Sequence, residues 1–364
     1  MIRVSASRGR IRYPIRISPG LLGRAGALLR AERVPGTVLV VTDRTVARLH
    51  GARVLASLRR AGWTPRVTAL PPGEPSKTLA CVRGLCERWA AWGADRSVPV
   101  LALGGGVVSD VAGFAAAAYA RGLDWYAFPT TVLAQADASI GGKVGVNLPG
   151  GKNLVGAFHH PRGVFCDPEA LRTLPPRAFR SGLAEIAKIG VIRRPAILAG
   201  LRRLALEGPG RAGIADLIGA AAREKAWYVS RDPEDRGIRR ELNFGHTVGH
   251  ALEALGGYRR WLHGEAVAVG MEVAAALAVR RDLLAPAAAL RQARLLRALG
   301  LPPARRALAG VSARKLWHVM QLDKKRAAGA TRFVLTEGVG VASFGHRVTR
   351  SQVIAALQDA GCER

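Results

Sequence analysis

Three consecutive glycines, Gly104, Gly105 and Gly106, sit between an apolar run at residues 98–103 (VPVLAL) and an Ala-rich stretch that reaches Tyr119. A buried run of strand length, a turn free of side chains and a helix-forming segment together make the βα unit of a parallel sheet, which leaves few other folds open. The same alternation surrounds it. Residues 37–42 (TVLVVT), 66–70 and 125–128 predict further strands, and helices are predicted up to Leu58, over 76–92 and after the glycines. From about Pro175 the pattern changes to long Ala/Leu/Arg segments of helical spacing, interrupted by Gly and Pro at 207–213, 256–257 and 301–303, with a short late hairpin at 332–344. The expected fold is an α/β first domain over residues 1–174 with a mostly parallel sheet, followed by an all-α second domain over 175–364. A chain of 364 residues is long enough for two cores.

The glycine turn has two readings. Backbone N–H groups and a helix N-terminus can face the pyrophosphate of a dinucleotide, or the turn can be purely structural; the G-x-G-x-x-G pattern is absent. Asp43, at the end of the first predicted strand, suits a ribose hydroxyl or a helix cap. Two more glycine-lysine units, Gly141-Gly142-Lys143 and Gly150-Gly151-Lys152-Asn153, lack the spacing and the Ser or Thr of a P-loop, and suit either an anionic small molecule or two solvated turns.

Only eight of the 55 basic residues are lysines. Arg stays charged and forks, whereas Lys is a compact charge whose pKa shifts, so positions that keep Lys in an Arg-biased chain are candidates for chemistry that Arg cannot do. Lys315 reads as a plain surface residue; Lys77, Lys143, Lys152, Lys188, Lys225, Lys324 and Lys325 all lie in segments marked on other grounds. The net charge of +29 raises nucleic acid as a partner, but the arginines come as scattered pairs, aromatics are 5% of the chain, and no nucleic-acid motif is present.

In the helical half, His246 and His250 stand one turn apart in NFGHTVGH, and His263 follows in WLHGE. Imidazoles at i and i+4 share a helix face and suit a divalent metal, although spacing leaves open whether His250 is a ligand or a proton-transfer group. Upstream, Glu185 and Lys188 occupy an otherwise apolar helix, where each needs a partner. The most apolar stretch, 266–279, is 14 residues long and too short to cross a bilayer. No secretory signal is read at the start of the chain, and the four cysteines form no C-x-x-C pair, so a reducing cytoplasm is expected.

Six segments together resemble the 3-dehydroquinate synthase family of the shikimate pathway: GGGVVSDVAGFAAAAYARG (104–122), FPTTVLAQADASIGGKVGVN (128–147), GKNLVGAFHHP (151–161), SGLAEIAKIGVI (181–192), ELNFGHTVGHALEA (241–254) and WLHGEAVAVGM (261–271). The resemblance runs from about residue 11 to about 345, in order and with matching spacing. It implies an N-terminal NAD-binding α/β domain, a C-terminal helical domain, an active site in the cleft between them, and a homodimer. It makes Glu185, His246 and His263 the ligands of one zinc or cobalt ion. The implied cofactor contacts are Asp43, Glu74, Lys77, Gly105, Gly106, Val107, Asp110, Thr130, Thr131, Lys143, Lys152 and Thr173. Catalytic roles fall to Lys152, Lys188, Asn243 and His250, and substrate contacts to Asp137, Lys143, Asn153, Lys225, Arg239 and one of Lys324 and Lys325; Arg121 matches an arginine that reaches the neighbouring subunit's site.

The implied substrate is 3-deoxy-D-arabino-heptulosonate 7-phosphate, converted without net redox change by transient oxidation at C5, phosphate elimination, re-reduction, ring opening and aldol closure. Alternatives of the same resemblance are a sugar phosphate cyclase of the inosose or valiolone type and a metal-dependent polyol dehydrogenase. No membrane and no dedicated nucleic-acid partner are implied. Two departures stand out: the high positive charge, and Ser109 where the family pattern has Gly, which is expected to crowd the pyrophosphate turn or to cap the helix.

Overall fold

The computed structural model describes residues 2–6, 11–206, 213–324 and 332–363. The chain divides into two compact units, Met1–Pro175 with Lys225–Glu234, and Pro176–Glu224 with Asp235–Arg364. Residues 225–234, which the sequence reading assigns to the second half, therefore group with the first unit.

The first unit is built on a seven-stranded sheet of order β1-β2-β9-β6-β5-β3-β4, formed by Ile2–Ala6 (β1), Ile11–Ile17 (β2), Thr37–Asp43 (β3), Thr64–Leu70 (β4), Val100–Gly104 (β5), Trp125–Pro129 (β6) and Gly163–Cys166 (β9). All pairings are parallel except the edge hairpin β1–β2. Residues of β5 and β6 are buried throughout, as expected of central strands covered on both faces. One core cluster joins Val38 and Val40 of β3, Leu101 and Leu103 of β5, and Tyr126 and Phe128 of β6 to Leu28, Leu58 and Trp63.

The chain runs from β3 outward to β4 and then returns to the other side of β3 for β5, so the strand order reverses between β3 and β5. Ligands of open α/β sheets bind outside the carboxyl ends of the strands at such a switch point. Asp43, Gly104 and Pro129 end β3, β5 and β6. The switch point thereby gathers Asp43, the glycine turn and the Thr130-Thr131 pair at one edge of the sheet.

A separate hairpin, Lys143–Leu148 (β7) with Gly151–Phe158 (β8), packs on the helix Gly106–Ala118. A Cβ on Gly113 of that helix would lie 2.4 Å from Val144 Cγ1, so only glycine allows the hairpin this close.

The second unit is helix-rich but not all-α. It contains the hairpin Arg332–Gly338 (β10) and Val341–Arg347 (β11), in the region where the sequence predicts one. The central helix, His263–Val279, is the apolar stretch weighed above as a membrane candidate; no helix of the described residues is long and apolar enough to cross a membrane. It packs against the helices Pro176–Ile192, His246–Leu255, Pro286–Ala298 and Arg350–Asp359 and against β10. Contact with two of these is backbone to backbone. A Cβ on Gly264 would lie 1.8 Å from the Ser181 carbonyl oxygen, and one on Gly270 would lie 1.9 Å from that of Gly245. The three elements carrying Glu185, His246 and His263 thus meet through small residues.

Candidate functional site

In the second unit, Glu185, His246 and His263 each bring a ligand atom within 4.8 Å of the others. Glu185 is 2% exposed, and its Oε1 lies 3.7 Å from His246 Nε2 and 3.6 Å from His263 Nε2. Those separations are too long for hydrogen bonds. Neither carboxylate oxygen has a hydrogen-bond partner of good geometry, although the Lys188 ammonium lies against Oε2. A buried carboxylate so placed is costly unless a cation completes it.

Each imidazole is oriented by its other nitrogen. His246 Nδ1 is 3.1 Å from the Phe244 carbonyl oxygen, and His263 Nδ1 is 3.4 Å from Oε2 of Glu253, itself buried. Both Nε2 atoms are left facing Glu185, the carboxylate–histidine arrangement that supports a metal ligand. Two imidazoles and one carboxylate form a donor set suited to zinc or cobalt with positions left open. Burial opposes ionisation of Glu185, yet Lys188 and the two imidazoles hold it well below the usual carboxylate range. Burial and Lys188 hold His246 well below the ordinary imidazole value, in the neutral form that a ligand needs. On His263 burial acts the same way, but Glu185 and Glu253 prevail and push it up to about 9.

His250 lies one turn beyond His246, with ring centroids 5.4 Å apart, and falls in a second grouping with Glu253 and His263. That grouping uses the carboxylate already turned to His263 Nδ1, so the Glu185 set is the better cation site and His250 borders it. Glu253 escaped the sequence reading. Its signal was its place three residues after His250 and seven after His246, on the same helix face.

In the first unit, Gly105 is the N-cap of helix Gly106–Ala118, and no side chain caps it. The N–H groups of its first turn, including those of Gly106 and Val107, are therefore available to an anion. Thr130 N–H donates to the Gly104 carbonyl at 2.9 Å, and the Thr131 methyl packs where a Gly105 Cβ would be, 3.1 Å away. Ser109 neither crowds this turn nor caps the helix: it is buried within the helix, with its hydroxyl 3.4 Å from that of Ser139.

Beside the turn, Lys77 reaches Asp110 and Asn153, each at 2.5 Å. Asn147 donates to Glu74 at 2.8 Å and accepts from the Asn153 N–H at 3.0 Å, while Lys152 lies 3.4 Å from Glu74. Burial raises Asp110 above its ordinary range against the pull of Lys77, whereas Lys152 and Lys77 overcome burial to hold Glu74 low. Lys225 pairs with Asp137 at 2.7 Å. Asn147 was not singled out from sequence, since an Asn in an apolar strand carries no spacing signal.

Other predicted residues stand as follows. Asp43 caps the helix after β3, its Oδ1 accepting from Thr45 and Val46 N–H at 2.8 and 2.9 Å. The Thr173 hydroxyl meets His50 at 2.9 Å. Lys143 opens β7 and is exposed; Arg121 is exposed in a turn with φ of 64°. Arg239 is buried in the short 3-10 helix Ile238–Asn243, which ends at the exposed Asn243. Lys324 ends the helix Ala313–Lys324, and Lys325 lies outside the described residues.

The family profile described as "3-dehydroquinate synthase N-terminal" matches residues 67–181, and that described as "3-dehydroquinate synthase C-terminal" matches residues 182–326. The 3-dehydroquinate synthase of Rhodospirillum rubrum is 44% identical over 364 residues, covering 98% of this chain and 94% of that protein. Among solved structures, 2-epi-5-epi-valiolone synthase from Streptomyces hygroscopicus subsp. jinggangensis, with NAD+ and Zn2+ bound, superposes with a TM-score of 0.88 at 30% identity, over 98% of this chain and 99% of that one. A 2-deoxy-scyllo-inosose synthase complexed with carbaglucose-6-phosphate, NAD+ and Co2+ gives 0.83 at 25% identity, over 98% and 99%.

Proposed function

The chain belongs to the 3-dehydroquinate synthase family, and from that premise we propose how its residues divide the work of a phosphate-eliminating carbon–oxygen lyase. It converts 3-deoxy-D-arabino-heptulosonate 7-phosphate to 3-dehydroquinate and phosphate, with NAD and a divalent zinc or cobalt ion as cofactors. When bound, the nicotinamide exchanges a hydride at C5 and the cation acidifies the C5 hydroxyl.

Glu185, His246 and His263 hold the cation, and Lys188 keeps the Glu185 carboxylate ionised while limiting its charge. Supporting this reading is one observation above all: a carboxylate 2% exposed, facing two oriented imidazoles, with no hydrogen bond to either oxygen. The uncapped turn at Gly105, Gly106 and Val107 receives the pyrophosphate of NAD, with Asp43, Glu74, Lys77, Asp110, Thr130, Thr131 and Thr173 around it. Lys143 and Lys152 are shared between NAD and substrate. Lys152, Asn153, Asn243 and His250 hold the substrate phosphate, whose own oxygen takes the C6 proton as it leaves. Asp137, Lys225, Arg239 and one of Lys324 and Lys325 grip hydroxyls and the carboxylate, with Arg121 serving a neighbouring subunit in a homodimer. The four free cysteines, with no disulfide among the described residues, support a cytoplasmic location.

The test is phosphate release from the heptulosonate phosphate with NAD+ and zinc, followed beside absorbance at 340 nm. Phosphate and dehydroquinate without accumulating NADH are expected. Stoichiometric NADH without phosphate would mark a dehydrogenase, and turnover only of sugar phosphates lacking the carboxylate would mark the valiolone or inosose type. Lys152→Ala and His263→Ala are each expected to lower kcat by at least ~100-fold, and unchanged activity in both would overturn the residue assignments.

A further inference from the structure

Asn147 stands outside the roles assigned so far, yet it touches both sides of the cradle around Lys77. It is half-buried in β7. Its backbone N–H donates to the Lys77 carbonyl at 2.9 Å, and a bridge to Thr78 pairs it with the segment that carries Glu74 and Lys77. Its side chain joins that segment to the turn of the β7–β8 hairpin: Nδ2 donates to Glu74 Oε1 at 2.8 Å, and Oδ1 accepts from the Asn153 N–H at 3.0 Å.

The register of the hairpin explains why this turn needs a brace. Val146 pairs with Val155 and Leu148 with Gly151, so Asn147 alone stands opposite Lys152, Asn153 and Leu154. Extra residues on one strand bend it, re-aim its side chains and lose their ladder partners. Asn153 takes a φ of 54°, a left-handed backbone that Asn tolerates better than most residues. Its N–H finds the Asn147 amide in place of the ladder. The bulge carries the Lys152 ammonium to 3.4 Å from Glu74 Oε1, the same oxygen that Asn147 holds, and sets Asn153 Oδ1 2.5 Å from Lys77 Nζ.

One orientation of the amide satisfies both contacts. A backbone N–H only donates, so it faces Oδ1. Burial opposes ionisation of Glu74, but Lys152, Lys77 and this hydrogen bond hold it below the usual carboxylate range, so it accepts from Nδ2. An apolar side chain at this position loses both contacts at once. We propose that Asn147 is a positioning residue, which fixes Lys152 and Asn153 in their working geometry and acts on the substrate only through them. The inference rests on the assignment of Lys152 and Asn153 to the substrate phosphate made above.

The test is steady-state kinetics of the NAD- and zinc-loaded enzyme with the heptulosonate phosphate, for Asn147→Ala, Lys152→Ala and the two combined, with NAD+ affinity measured by calorimetry. Asn147→Ala is expected to lower kcat/KM about 10- to 100-fold, as loss of a group that aims a ligand does. The NAD+ dissociation constant is expected to change less than ~3-fold, because the backbone bond to Lys77 and the Lys77–Asp110 pair do not use the Asn147 side chain. In the double variant the loss is expected to fall short of the product of the single losses by at least ~5-fold, whereas a merely structural role would multiply them. Asn147→Leu, which fills similar space without either contact, carries the same expectations and stands in should the alanine variant unfold. Full activity of the Asn147 variants beside a disabled Lys152→Ala would overturn the proposal alone, as would losses that multiply or an NAD+ affinity that falls as far as kcat/KM. An undiminished Lys152→Ala would overturn the phosphate assignment and the proposal with it.

Discussion

At the scale of single residues, the site works through pairs in which one member aims the other. Glu253 and the Phe244 carbonyl turn the two imidazoles so that both Nε2 atoms face Glu185. Glu253→Gln keeps the shape but removes the charge behind His263. It is expected to weaken zinc retention about 10- to 100-fold in competition with a chelator, with the fold unchanged by circular dichroism. The His246/His250 pair was legible because the helix period brings like chemistry to one face, whereas the grouping of Glu185, His246 and His263, on three separate helices, was implied only by the family resemblance. Glu253 was passed over because a carboxylate between apolar residues reads equally well as a solvated position. Ser109 illustrates the converse: its place in the string suggested the pyrophosphate turn, yet the helix rotates its hydroxyl to Ser139, and one residue of register decides which.

At the scale of elements, β3, β5 and β6 were legible as the unbroken apolar runs that strands buried on both faces need, and the more exposed β4 and the hairpin β10–β11 were read as well. The hairpin β1–β2, of which β1 is the edge strand, was not legible: Arg3, Arg12 and Pro14 give it the composition of a loop, and only pairing, with each other and of β2 with β9, makes these segments strands. The helix contacts were equally hidden, because a glycine in a helix says nothing by itself about what approaches it. Gly270→Ala sets a methyl against the Gly245 carbonyl and is expected to cost at least ~1–3 kcal/mol, read as a lower urea midpoint. Gly84→Ala, in the helix Leu79–Ala91 with nothing within 4 Å of the new carbon, is expected to stabilise by about 0.5–1 kcal/mol.

The C-terminal helix Arg350–Asp359 is tied to the central one by the Arg280 fork on Asp359, at 2.5 and 2.9 Å. The Arg280 hydrogen bond holds Asp359 below its ordinary range. Since the folded value lies under the unfolded one, the contribution is complete above the unfolded pKa and is lost as pH falls through the folded value. Both side chains are nearly half exposed, so solvent limits the effect to below ~1 kcal/mol. Asp359→Asn is expected to lower stability slightly at neutral pH and to leave it unchanged in acid, measured by urea midpoints across that range.

At the scale of the whole molecule, a formal charge of +29 surrounds a reaction whose substrate is an anion. Such a field raises the encounter rate of anionic ligands and is screened by salt. The value of kcat/KM is therefore expected to fall with ionic strength while kcat holds, in steady-state assays over a salt series. Any adherence to DNA is expected to weaken steeply in the same series and to be untouched by Lys152→Ala, since it resides in scattered arginines.

Glu185, His246 and His263 come from three separate stretches of chain, so an ion they share acts as a stitch in the polymer. Holding those stretches together removes freedom that the unfolded chain would otherwise regain, and an ion that favours the folded form raises the melting temperature with its concentration. Calorimetric scans with and without a chelator are expected to separate by several degrees, and Glu185→Gln to erase the separation. Heat alone would then report whether the enzyme is loaded, with no substrate in the tube.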